Sequence, residues 1–106
     1  MRGEDQRTTI MIKNIPCKFD QKIILDEISK KNKGNFDYFY LPIDLRTGCN
    51  SGYAFINFTH PFFILEFYLE FQDFEWSLLF QESSSEKVCK LAMAHMQGKE
   101  SLFLHH

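Results

Sequence analysis

Tyr53 and Phe55 stand two residues apart in the run Ser51-Gly52-Tyr53-Ala54-Phe55-Ile56-Asn57-Phe58. In an extended strand that spacing sends both rings to one face. Paired rings on an uncovered surface suit one kind of chemistry, stacking on flat π systems such as nucleobases. Each such contact is worth ~1–3 kcal/mol. The same alternation turns Ala54, Ile56 and Phe58 to the opposite side and sets Asn57 beside the rings. In the segment 10–13, Ile10 and Ile12 suit a core, which leaves Met11 and Lys13 next to Tyr53 and Phe55. Phe39 and Leu41 form a further core pair, so Tyr38 and Tyr40 join the ring-bearing face.

Covalent chemistry finds less support. The four histidines form no metal constellation, and His60 reads as a helix-start residue. Cys17, Cys49 and Cys89 are scattered, odd in number and without a CxxC pair, so neither a disulfide framework nor a zinc site is expected. A reducing compartment fits that usage. No His or carboxylate spacing beside Cys17 or Cys49 marks a nucleophile. Neither an enzyme nor a cofactor is expected.

The elements that must position the rings follow from periodicity. Residues 8–13 are β-branched and alternate, which predicts a strand ended by Pro16. Asp20 is a good N-cap, Phe19 can staple onto Ile24, and Ile24, Leu25 and Ile28 recur at helical spacing. Lys30, Lys31 and Lys33 then complement the helix dipole ahead of Gly34, giving a helix over 21–32. Residues 36–44 predict a second strand, and Arg46-Thr47-Gly48-Cys49-Asn50 is turn chemistry leading into a third strand over 52–58. Pro61 opens a second helix over 61–72, capped by His60 or Thr59. That helix is apolar on most sides, so a covering segment or partner is expected. A short extra strand at 75–80, a main strand at 87–96 and a short helix over 99–104 close the reading. The order β-α-β-β-α-β is the α+β, ferredoxin-like sandwich, with two helices on one face of a four-stranded antiparallel sheet.

Composition sets the bounds. One domain fits 106 residues, and 44% hydrophobic with 25% charged residues excludes a disordered chain. No apolar run could span a bilayer, and the polar start carries no secretory signal pattern. The net charge is −2, with 9 basic and 7 acidic residues over 1–53 but 3 and 7 over 54–106. Such a chain draws little on non-specific attraction to phosphate. Two stacked bases supply about 2–6 kcal/mol, short of the ~8 kcal/mol of a micromolar complex, so further contacts or neighbouring domains are required.

Residues 51–58 resemble the RNP-one octamer of RNA-recognition motifs, [KR]-G-[FY]-[GA]-[FY]-[ILV]-x-[FY], at every position but the first. Ile10-Met11-Ile12-Lys13-Asn14-Ile15 resembles the RNP-two hexamer, with Met where an aromatic is common. A closer resemblance covers nearly the whole chain. Residues 7–16, Tyr40-Leu41-Pro42-Ile43-Asp44, residues 52–58, Ser85-Glu86-Lys87-Val88-Cys89 and Gln97-Gly98-Lys99-Glu100 are similar to the C-terminal RNA-recognition motif of Mei-two-like proteins. That family consists of eukaryotic RNA-binding regulators, several linked to meiosis. Polar residues 1–8 read as a flexible leader, the motif spans 9–97, and the resemblance implies an extension after it, read as helical over 98–106. The resemblance also implies an intracellular protein, nuclear or cytoplasmic. Three positions depart from the pattern: Ser51 for a basic residue, Met93 for an aromatic, and His95 for a residue that is frequently basic.

The expectation is therefore a domain that binds single-stranded RNA on its open sheet. Tyr53 and Phe55 would stack on bases, Lys13 and Asn57 would make polar contacts, and Met11, Tyr38, Tyr40, Met93 and His95 would flank them. The alternative is a protein-interaction or self-associating module that docks through the aromatic second helix. An acylphosphatase-like enzyme on the same topology would need an anion loop the sequence does not offer.

Overall fold

The computed structural model describes residues 8–78 and 87–94. Seven elements follow one another: β1 (Thr9–Lys13), α1 (Gln21–Asn32), β2 (Phe36–Tyr40), β3 (Tyr53–Phe58), α2 (Phe62–Phe71), a 3-10 turn (Trp76–Leu78) and β4 (Lys90–Met93). The strands form one sheet in the order β2-β3-β1-β4, with every neighbouring pair antiparallel. This is the expected β-α-β-β-α-β sandwich.

Local chemistry starts both helices close to where the sequence places them. The Asp20 carboxylate accepts from the Ile23 amide at 2.9 Å and caps α1. Phe19 and Ile24 are both buried in the main core, as a staple requires. At α2, the His60 Nδ1 atom accepts from the Phe62 amide at 3.0 Å, so the imidazole satisfies a first-turn donor. Gly34, just after α1, takes φ +84°, a left-handed conformation that disfavours any side chain.

The core lies between the sheet and the helices. Ile10 and Ile12 of β1 meet Ala54, Ile56 and Phe58 of β3, closed over by Ile24 and Ile28 of α1 and by Phe67 and Phe71 of α2. Each large side chain buried there contributes about 1.5–3 kcal/mol of transfer energy. Phe58 and Phe67 rings pack at 4.9 Å, and Trp76 stands edge-on to Phe19 at 5.7 Å. Asn32 joins the two helices, donating to Ile28 carbonyl at 2.9 Å and to Glu70 Oε1 at 3.3 Å.

Three expectations change. The first concerns residues 73–76, which form a short ribbon with 87–89 in place of an added strand over 75–80. Asp73 amide donates to Cys89 carbonyl and Cys89 amide to Phe74 carbonyl, both at 2.7 Å, and a bridge links Glu75 and Val88. Residues 87–89 are thereby drawn away from β1, so β4 begins at Lys90. The second concerns α2: Phe67 and Phe71 are buried, but no described segment covers the exposed Phe62, Leu65, Tyr68 and Leu69, so among the described residues only a partner is left of the two expected coverings. The third is a disulfide between Cys17 and Cys49, with Cα atoms 5.1 Å apart. Separated by 32 residues, the two cysteines meet because the β1–α1 and β2–β3 loops fold against each other. Asn50 fixes the same approach, donating to Pro16 and Phe19 carbonyls at 2.8 and 2.9 Å and accepting from the Gly52 amide at 2.7 Å. A loop asparagine gives no spacing signal, so neither clamp was visible in the sequence. Most of the expected leader and the expected helix over 99–104 lie outside the described residues.

Candidate nucleic-acid interface

The open side of the sheet is a small grid set by strand register. Lys13 lies opposite Tyr53 and Met11 opposite Phe55 across β1 and β3. Tyr40 pairs with Phe55 across β2 and β3, and Ala92 with Met11 across β1 and β4. Directly opposed residues share a face, so Tyr40, Phe55, Met11 and Ala92 form one row across all four strands. Tyr53, Lys13 and Lys90 form the next. Alternation therefore delivers Tyr53, Phe55, Met11, Lys13, Tyr38 and Tyr40 to one surface, as expected.

A bulge in β2 makes this possible. Phe36 pairs with Phe58 and Tyr38 with Asn57, so Asp37 is an extra residue. Strict alternation would put Phe36 on the same side as Tyr38. The extra residue instead lets Phe36 join the main core while Tyr38 and Tyr40 stay on the open side. Nothing in the side-chain pattern of 36–44 announced it.

Within the grid the rings are not equivalent. Tyr53 and Phe55 meet edge to face, with centroids 5.6 Å apart and planes at 79°. Phe55 is only 7% exposed, packed with Ala94 and among Met11, Tyr38, Tyr40 and Tyr53, whereas these four are half-buried. Phe55 is thus the floor of the cluster, and the tyrosines and Met11 are its accessible walls. Burial, and after it the neighbouring Tyr40 phenol, raise the Tyr38 phenol above its ordinary range.

Asn57 sits at the same face but spends its amide internally. Its Oδ1 accepts from Thr9 Oγ1 at 2.7 Å and Thr8 Oγ1 at 2.8 Å, and its Nδ2 donates to Asp37 Oδ1 at 2.9 Å. With 6% of its surface exposed, Asn57 positions the strands beneath the rings, and the expected polar contact to a base would require those bonds to open. Lys13 is exposed at the end of the cluster, whereas the Lys90 ammonium is held by Asp73.

Met93 is a correction. Its partner across β1 is Ile10, a core-facing residue, so Met93 lies on the helix side of the sheet. There it lines a groove with Ile64 and Tyr68 of α2, away from Tyr53 and Phe55. Ala92 and Ala94 occupy the open side instead, and Ala94 packs on Phe55. The family resemblance, not alternation along 87–96, suggested the open face for Met93, and its pairing with core-facing Ile10 decides otherwise. His95 lies outside the described residues. Among the described residues no cluster of three His, Cys, Asp or Glu could hold a metal, and no helix is long and apolar enough to cross a membrane.

Comparison with known proteins follows the same line. Residues 7–106 match the RNA recognition motif 2 family, and the chain belongs to that family. MEI2-like 4 of Oryza sativa subsp. japonica is 49% identical over 105 residues, which cover 99% of this chain and 10% of that protein. MEI2-like 5 of Arabidopsis thaliana is 48% identical over 105 residues, 99% of this chain and 13% of that protein. The chain thus spans about a tenth of the length of the curated relatives it matches. Among solved structures, the Rna15 RRM with bound RNA (GU) superposes with a TM-score of 0.66 at 20% identity, covering 92% of this chain and 94% of that one. A Sex-lethal protein–RNA complex gives 0.65 at 17% identity over 88% of this chain and 50% of that one. These likenesses carry the fold. Membership places the chain among recognition modules and not among enzymes.

Proposed function

We propose that the chain is an RNA-binding domain that holds a short single-stranded segment on its open sheet. The observation that carries this is the aromatic grid itself: Tyr53, Tyr38, Tyr40 and Met11 around Phe55, on the face opposite both helices. Planar side chains half-exposed on a sheet match unstacked bases, which present π faces irrespective of sequence. Lys13 lies beside Tyr53 and is placed for a phosphate or base edge, and Met11 offers an apolar contact between rings. Asn57 acts from beneath, holding Asp37 and the threonines so that the bulge presents Tyr38. His95, outside the described residues, keeps its expected role as an RNA contact in this reading. Family membership supports it, as do the RNA-bound structures among its fold relatives. No step of this function needs a cofactor.

The larger setting rests on the MEI2-like relatives, which are about ten times the length of this chain. In this reading the domain is one part of a longer post-transcriptional regulator, linked to meiosis and working in the nucleus, the cytoplasm or both, where the Cys17–Cys49 link is subject to reduction. Neighbouring domains then supply the affinity that two or three stacked bases lack.

NMR shift mapping with short random RNA oligomers tests the reading. Shifts at Tyr53, Phe55, Met11 and Lys13 are expected on titration. Absence of any shift at millimolar RNA, or shifts confined to the helices, would sink it.

A further inference from the structure

One surface is left unused by an RNA on the sheet. On α2, Phe62, Leu65 and Leu69 recur at helical spacing and are 70%, 65% and 73% exposed, and Tyr68 beside them is 44% exposed. This strip runs into a groove of about 180 Å³ between α2 and the edge strand β4, lined by Ile64, Tyr68, Leu91 and Met93. Scattered exposed leucines are ordinary, but a continuous strip with an adjoining groove is an interaction surface. Its charge selects the occupant. From Thr47 to Glu86 the chain has no Lys or Arg, while Glu66, Glu70, Asp73, Glu75, Glu82 and Glu86 are acidic. Glu66 is exposed on the rim next to Phe62 and Leu69, and Glu75 is exposed beyond the end of α2. Asp73 is answered by Lys90 and Glu70 by the Asn32 amide, and Glu75 lies in the ribbon beside Lys87, but among the described residues no ion pair holds Glu66.

We infer that the exposed face of α2, with the β4 groove beside it, seats a basic amphipathic helix from a partner protein. The apolar residues of such a helix, spaced to match, lie along Phe62, Leu65 and Leu69 and insert toward the groove. Its Lys or Arg residues flank them and neutralise Glu66. A second copy of this chain fits poorly, because two α2 faces bring acidic rims together and α2 carries no cation to pair them. An anionic membrane surface meets the same repulsion. The site lies across the sheet from the aromatic grid, so its occupancy is independent of the RNA reading.

The test uses the 106-residue chain and a synthetic peptide of about 18 residues, Leu and Lys patterned for an amphipathic helix. Its counterpart replaces every Lys with Glu. Calorimetry with NMR mapping is expected to show the Lys peptide binding on α2 and the Glu peptide at least roughly tenfold weaker. The double variant Leu65→Ser plus Leu69→Ser should lose about tenfold and Glu66→Lys about fivefold, each with an unchanged thermal midpoint because all three positions are exposed. Equal binding of the two peptides overturns the inference, as does Lys-peptide binding that survives the double serine variant. Sedimentation showing an α2-dependent dimer, or Leu65-dependent pelleting with anionic lipid vesicles, overturns it in favour of those occupants.

Discussion

At the scale of single residues, the two rings of the RNP-one run divide their labour. Phe55 is nearly covered and therefore carries stability as well as shape. Phe55→Ala should lower unfolding free energy by about 3 kcal/mol, measured by denaturant titration, alongside any loss of RNA affinity. Cys89 offers a second check. Burial first, and then the Asp73 carboxylate, push its thiol from 9.0 to about 12. A thiol raised in the folded state adds stability that is complete below pH 9 and is lost as the pH climbs from about 9 toward 12. A thiol reagent at pH 8 should accordingly leave Cys89 untouched until the chain unfolds, and base-induced unfolding should begin above about pH 9. The positions of Tyr53, Phe55, Met11 and Lys13 could be read from alternation because β1 and β3 are regular central strands. Met93 was placed by resemblance alone, and its face is set by the pairing of β4 with Ile10 of β1.

The elements were legible where local chemistry and periodicity agree, as with the Asp20 cap and Ile24 and Ile28 of α1. They were not legible where one strand answers to another. The β2 bulge depends on Asn57 of β3 gripping Asp37, and the shortened β4 depends on residues 87–89 pairing back to 73–76. Both are tertiary decisions. Asp37→Ala should cost about 1–3 kcal/mol, because it strips a nearly buried amide of its acceptor. It should also move Tyr38 and Tyr40 resonances in NMR spectra while sparing those of α1. Spectra unchanged at Tyr38 would mean that the bulge is set by something else.

For the whole molecule, the Cys17–Cys49 link and Asn50 brace the end of the sheet where Tyr53 and Lys13 lie. Reducing that link, or making Cys17→Ser, should lower stability by about 3–4 kcal/mol for a closed loop of 32 residues, read from thermal melts with and without reductant. Net charge −2 argues that few phosphates are neutralised. The slope of log affinity against log salt should then be shallow, about −1 to −2 for two or three phosphate contacts on a single strand. A slope near −5 would point to many more phosphate contacts than a net charge of −2 supports. The central claim is that an accessible ring on the open sheet holds a base. Its most direct measurement is the affinity of one short RNA for the wild-type chain and for Tyr53→Ala at equal salt. A loss of about 5- to 150-fold with the fold intact is expected. Unchanged affinity in a correctly folded Tyr53→Ala chain would contradict it.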